Sequence, residues 1–130
     1  MAALEWHEGR NVGIGFMDHD HAETAALINA VAEAGPDQLP ETFRRFLAHT
    51  EAHFAREETM MREVGFFAYG PHKGEHDRVL EDLRATAKTL ETGTAMDSRA
   101  MAHDLADWLI GHRDSMDMVT ANFARANGRR

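Results

Sequence analysis

Five histidines and two carboxylates carry most of the chemistry available to this chain. His21, His53, His72, His76 and His112, together with Glu57 and Asp117, are spaced so that four helices would bring them to one level. His53 and Glu57 lie four residues apart, as do His72 and His76, so each pair shares a helix face one turn apart. Imidazole nitrogens and carboxylate oxygens, with no thiolate, suit a borderline or hard transition metal. A histidine on an apolar helix face is usually a hydrogen-bonded core residue, and that reading covers any one of the five. It does not cover five histidines and a glutamate together, because leaving polar groups buried and unpaired costs several kcal/mol by transfer estimates.

These residues need helices to position them. Gly and Pro fall in three clusters, Gly35-Pro36, Gly65 to Gly70-Pro71, and Gly93, with apolar residues at helical spacing between them. The pattern predicts a non-helical arm over 1–17 and helices over about 18–34, 40–64, 71–91 and 98–123. Gly35 is expected to close the first helix, Pro40 to open the second, and Asp97 or Ser98 to cap the fourth. The fold class is therefore all-α, an up-down-up-down antiparallel four-helix bundle in one domain. The first inner stripe holds His21, Ala25, Ile28 and Val31, and the second runs from Phe43 through His53, Phe54 and Glu57 to Val64. The third begins at His72 and His76 and continues to Leu90. The fourth is read as Met101, Leu105, Trp108, His112, Met116, Val119 and Phe123.

Antiparallel neighbours place residues at equal distances from their shared turn at equal height. Counted from the expected turns, His21 is level with His53, His72 with Asp117, and His76 nearly with His112. All seven fall within about one helical turn, close enough for side chains from axes about 8–10 Å apart to converge. His7, His19, His49 and His103 fall in the arm or off the stripes and read as surface residues. One member does not follow from periodicity. His112 and Asp117 are five residues apart, about 140° round an ideal helix, so Asp114 or no carboxylate at all is equally compatible with spacing.

The 130 residues include no cysteine, which excludes disulfide stapling, zinc-finger and iron–sulfur sites and thiol catalysis. A net charge of −8, from 14 basic and 22 acidic residues, argues against nucleic acid or anionic membrane as a partner. The first ten residues lack the apolar core of a secretion signal, and no run approaches the length of a membrane span, so the expected location is the cytoplasm.

The chain resembles the hemerythrin family, specifically its single-domain bacterial members. The likeness runs from Trp6 and Gly13-Ile14 through Met17-Asp18-His19-Asp20-His21 to His49-Thr50-Glu51-Ala52-His53-Phe54-Ala55-Arg56-Glu57-Glu58-Thr59-Met60. It continues in His72-Lys73-Gly74-Glu75-His76-Asp77 and in Trp108-Leu109-Ile110-Gly111-His112 followed by Asp117. Two positions depart from the family pattern: Arg113 replaces an apolar residue and Thr120 replaces a frequent tyrosine, and neither is expected to touch a ligand.

The resemblance implies two iron ions in a non-haem, oxo- or hydroxo-bridged di-iron centre. His72, His76 and His112 would hold one iron, His21 and His53 the other, and Glu57 and Asp117 would bridge them. These donors and one bridging oxygen fill all but one position of two octahedral irons, and the open position falls on the iron with two histidines. The implied function is reversible dioxygen binding for storage, delivery or scavenging, with dioxygen held there at the peroxide level. Ile28, Phe54, Trp108 and Met116 would keep the pocket dry. The implied protein is not an enzyme and is a monomer without nucleic-acid or membrane partners. The alternatives are an oxygen or redox sensor working through a partner protein, and low-level peroxidase or nitric-oxide chemistry. The Glu-x-x-His pairs of ferritin-like di-iron oxidases are absent, since no Glu lies three residues before any histidine.

Overall fold

The structure, a computed structural model, describes residues 2–130. A short 3₁₀ turn, Glu8–Arg10, precedes α1 (Gly15–Glu33), α2 (Leu39–Val64), α3 (Tyr69–Glu91) and α4 (Ser98–His112). A five-residue π turn, Arg113–Asp117, joins α4 directly to α5 (Met118–Ala126). Among the described residues there is no strand, and no helix is long and apolar enough to cross a membrane. α1 packs against α2 and α4, and α2 against α3 and α5, giving the four-helix bundle.

Local chemistry sets the ends. Gly65 takes a left-handed φ of 67°, and Phe66 N–H bonds back to the Met61 carbonyl at 2.9 Å, closing α2. Asp97 accepts from the backbone N–H of Arg99 and Ala100 and caps α4. Pro40 lies in the first turn of α2, where its missing N–H leaves no bond unmade. α1 begins at Gly15, earlier than the apolar stripe suggested. Asp18 accepts from the N–H of Val12 and Gly13, at 2.7 and 3.2 Å, and so turns the arm into the helix. Gly13 has a φ of +89° there, and a Cβ would meet the Arg125 side chain at 2.8 Å. Gly35 does not close α1; the chain leaves the helix at Ala34 in an extended conformation.

Two apolar layers flank the histidines. The larger includes Ile28, Val31, Phe43, Phe46, Leu83, Ala102, Ala106 and Leu109. The smaller contains Val12, Ile14, Met17, Met60, Ala121 and Ala124. Each large side chain so buried contributes about 1.5–3 kcal/mol, so the polar layer is held between two stabilised ends.

The fourth stripe differs from its sequence reading. The buried residues are Ala102, Ala106, Leu109 and His112, then Asp117, Thr120, Ala121 and Ala124. Met101, Leu105, Trp108 and Met116 are only half-buried, and Val119 is 46% exposed. Small alanines let α4 and α5 approach their neighbours, pushing the larger side chains to the rim. The π turn then shifts the inward face by a residue, which moves Val119 out and Thr120 in.

Candidate metal centre

All seven candidate residues converge in one buried layer, each 6% exposed or less. α1 supplies His21, α2 His53 and Glu57, α3 His72 and His76, and α4 His112. Asp117 comes from the π turn. The π turn resolves the geometry that spacing left open. It spends one extra residue on a turn, so residues five apart stack as residues four apart do in an α-helix. His112 Nε2 consequently lies 3.0 Å from Asp117 Oδ1, whereas Asp114 is exposed and pairs with Arg113.

The contacts divide into two pockets. Glu57 Oε1 lies 3.2 Å from His76 Nε2 and 3.6 Å from His72 Nε2, while Asp117 Oδ1 lies 3.2 Å from His72 Nε2. On the other side, Glu57 Oε2 lies 2.8 Å from His53 Nε2 and Asp117 Oδ2 lies 2.9 Å from His21 Nε2. Each carboxylate thus turns one oxygen toward the three-histidine side and the other toward the two-histidine side. Ligand atoms of Glu57, His72, His76, His112 and Asp117 fall within 4.8 Å of one another, as do those of His21, His53, Glu57 and Asp117.

This donor set fits two cations. Glu57 Oε1 and Oε2, Asp117 Oδ1 and His76 Nε2 are buried, and their close contacts with one another and with neighbouring rings lack hydrogen-bond geometry among the described residues, a costly arrangement unless a cation satisfies them. His72 Nε2 and His112 Nε2 face each other at 3.2 Å, and two imidazole lone pairs so placed converge naturally on a positive ion. With iron bound, His72, His76 and His112 would hold one ion and His21 and His53 the other, with Glu57 and Asp117 across both. A set of imidazole nitrogens and carboxylate oxygens, without thiolate, suits iron.

Electrostatics show how strongly the layer wants positive charge. Burial alone would push the His53 imidazolium down, yet Glu57 and Asp20 outweigh it and raise its pKa to about 10. Burial likewise opposes charge on His112, and Asp117 overrides it upward. Burial and Asp117 act to raise the Glu57 pKa, but His53 and His76 hold it down to about 2. Asp117 is held well below the usual carboxylate range against its burial, chiefly by His112. Both carboxylates therefore stay ionised, and protons occupy positions from which metal ions would displace them.

Outer partners orient three rings. His53 Nδ1 meets Asp20 Oδ2 at 2.8 Å, His76 Nδ1 meets Glu58 Oε2 at 3.0 Å, and His72 Nδ1 meets Thr120 Oγ1 at 2.7 Å. None of these acceptors was identified from the sequence. Thr120 does touch a candidate ligand, contrary to expectation, because the π turn brings it inward. Arg113 fastens the arm, donating to the carbonyls of Arg10 and Asn11 at 2.6 and 3.1 Å. His49 is half-buried rather than a surface residue, with Nε2 at 3.1 Å from the Asp20 carbonyl. His7 instead caps the 3₁₀ turn, and exposed His19 pairs with Glu23.

A cavity of about 10 Å³ lies against His21, His53, His112 and Asp117, closed by Thr24, Thr50, Phe54, Trp108 and Leu109. Thr24 and Thr50 donate their hydroxyl hydrogens to the carbonyls of Asp20 and Phe46, at 2.8 and 2.9 Å. Phe54 and Trp108 line the cavity as expected. Ile28 sits in the larger apolar layer, and Met116 lines a separate groove beside His72. The remaining walls, Leu109, Thr24 and Thr50, were not singled out by residue type.

The family model for the hemerythrin HHE cation binding domain matches residues 12–124. A bacteriohemerythrin of Ralstonia nicotianae is 31% identical over 128 residues, covering 98% of this chain and 93% of that one. A bacteriohemerythrin of Aquifex aeolicus is 29% identical over 118 residues, covering 86% of this chain and 90% of the relative. A crystal structure of wild-type hemerythrin superposes with a TM-score of 0.87 at 22% identity, covering 93% of this chain and 97% of the other, and supports the shared fold. With its match over most of the chain and its paired histidine pockets, this protein belongs to the hemerythrin family of di-iron, oxygen-binding proteins.

Proposed function

We propose that the protein binds dioxygen reversibly, for storage, delivery or scavenging, and is not an enzyme. The supporting observation is the cavity that meets both His21 and His53, with His112 the single ring of the other pocket against it, walled by Phe54, Trp108 and Leu109. A pair of iron ions supplies, when bound, one open position and two electrons that dioxygen can borrow and return.

The chain's own residues favour return over further chemistry. The aromatic and aliphatic walls exclude water and bulky reductants. The Thr24 and Thr50 hydroxyl hydrogens are committed to their own helices and are not offered to a guest as acids. Glu57 and Asp117, as carboxylates shared by two cations, would carry no proton to give. Oxygen–oxygen cleavage needs protons delivered at that point, and these groups withhold them.

The test cycles the iron-loaded protein between argon and air. A visible band that appears in air, vanishes under argon and returns over many cycles, with iron content unchanged, is the expected result. A band that decays within one cycle, with turnover of dioxygen, would overturn the carrier reading in favour of oxidase or peroxidase chemistry.

A further inference from the structure

We propose that Asp20 is a positioning residue for the two-histidine pocket, fixing His53 for metal binding and making its ring a stronger donor through carboxylate charge. Asp20 precedes His21 on α1, but its side chain reaches across to α2. Its Oδ2 meets His53 Nδ1 at 2.8 Å and accepts from Arg56 Nε and Nη2, both at 2.8 Å. Its backbone carbonyl accepts from Thr24 Oγ1 and faces His49 Nε2.

The partners of the five rings are unequal. In the three-histidine pocket, His76 has Glu58 and His72 has Thr120. His21 Nδ1 and His112 Nδ1 are buried without a partner among the described residues, so two oriented rings serve the three-histidine pocket and one serves the other, whose orientation rests on the contact between His53 and Asp20. An acceptor at Nδ1 keeps a proton there, so that Nε2, which lies 2.8 Å from Glu57 Oε2, is the nitrogen left to an ion once its own proton is displaced. An anionic acceptor also pushes electron density into the ring, which favours the ferric state of an ion on Nε2. Arg56, with its side chain 45% exposed, balances the buried charge and holds Asp20 in place from the surface of α2. The pocket beside the cavity is thus tied through buried Asp20 to an arginine at the surface.

The inference rests on the dioxygen reading only for its physiological consequence, and the test separates the two. Zinc affinity is measured by competition titration, with nitrogen-15 histidine NMR identifying which rings bind. In Asp20→Ala the ion on His21 and His53 should bind roughly 10–100-fold more weakly, while the ion on His72, His76 and His112 keeps its affinity. Glu58→Ala should give the opposite pattern. Asp20→Asn keeps an acceptor for His53 but removes the charge. It should restore most of the zinc affinity yet raise the midpoint potential of the iron-loaded centre.

Wild-type affinity at both sites in Asp20→Ala, or an unchanged potential in Asp20→Asn, would overturn the proposal. If thermal melting shows that Asp20→Ala does not fold, Asp20→Asn decides alone by its potential. A centre that holds both ions but never responds to air would defeat the dioxygen reading without touching these zinc results.

Discussion

The two histidine pockets share Glu57, Asp117 and the flanking rings of Phe54 and Trp108, yet differ in their number of histidines and in the space beside them. The pocket of His72, His76 and His112 is closed by its own ligands. Phe54 stacks on His76 at 3.8 Å between centroids, and Trp108 stacks on His112 at 4.8 Å. The pocket of His21 and His53 has one fewer ring, and Thr24, Thr50, Phe54, Trp108 and Leu109 bound the space beside it. The same donor types therefore serve two purposes. On the proposed reading, three rings would fill the sites of one ion, while the space beside the other two rings would take the guest.

The contrast is broken most severely by removing a closed-side ligand. His72→Ala should weaken the ion on His76 and His112 by more than about 100-fold, and lower the thermal midpoint of the metal-loaded protein. It also strands Thr120, whose hydroxyl meets His72 Nδ1. Iron analysis and melting curves check this outcome; unchanged iron content would remove His72 from the ligand set.

Filling the open side should be milder and should leave the metal in place. Leu109→Phe adds bulk at a residue only 3% exposed that walls the cavity. Overpacking typically costs about 1–3 kcal/mol, or roughly a five- to 150-fold loss in dioxygen affinity if borne by the bound state. Gas titration with constant iron content is the check. Wild-type affinity would show that the guest sits elsewhere.

Protons give the most diagnostic effect. In the metal-free protein, His53 is raised from 6.5 to about 10. Its contribution to stability is therefore fully present below its ordinary pKa near 6.5 and is lost as pH rises through about 10. His112, also raised, acts with the same sign. The melting temperature of the metal-free protein should fall over that alkaline range, while metal affinity rises as protons leave the rings. Differential scanning calorimetry checks the first trend and metal competition the second; parallel trends would mean that protons and metal do not share these sites.

The closed and open pockets were unequally legible in the sequence. His53 with Glu57 and His72 with His76 stand four residues apart, and an uninterrupted helix turns such spacing directly into a shared face. Asp117 was not legible from periodicity, because the π turn between His112 and Asp117 breaks the period used to read it. That same turn misdirected the apolar stripe, placing Val119 inside when Thr120 is the buried residue. Asp20, Glu58 and Thr120 escaped because each meets a ring on a different helix, and sequence spacing is blind to such contacts. Six of the seven converging residues could thus be read from spacing and Asp117 only from the resemblance, while the difference between the pockets could not be read in one dimension.

An X-ray structure of the iron-loaded protein with azide, a small anionic ligand for iron, tests that difference most directly. The expected result is two irons spanned by Glu57 and Asp117, with azide on the ion held by His21 and His53 and lying against Leu109 and Trp108. A single iron, or azide on the ion held by His72, His76 and His112, would contradict it.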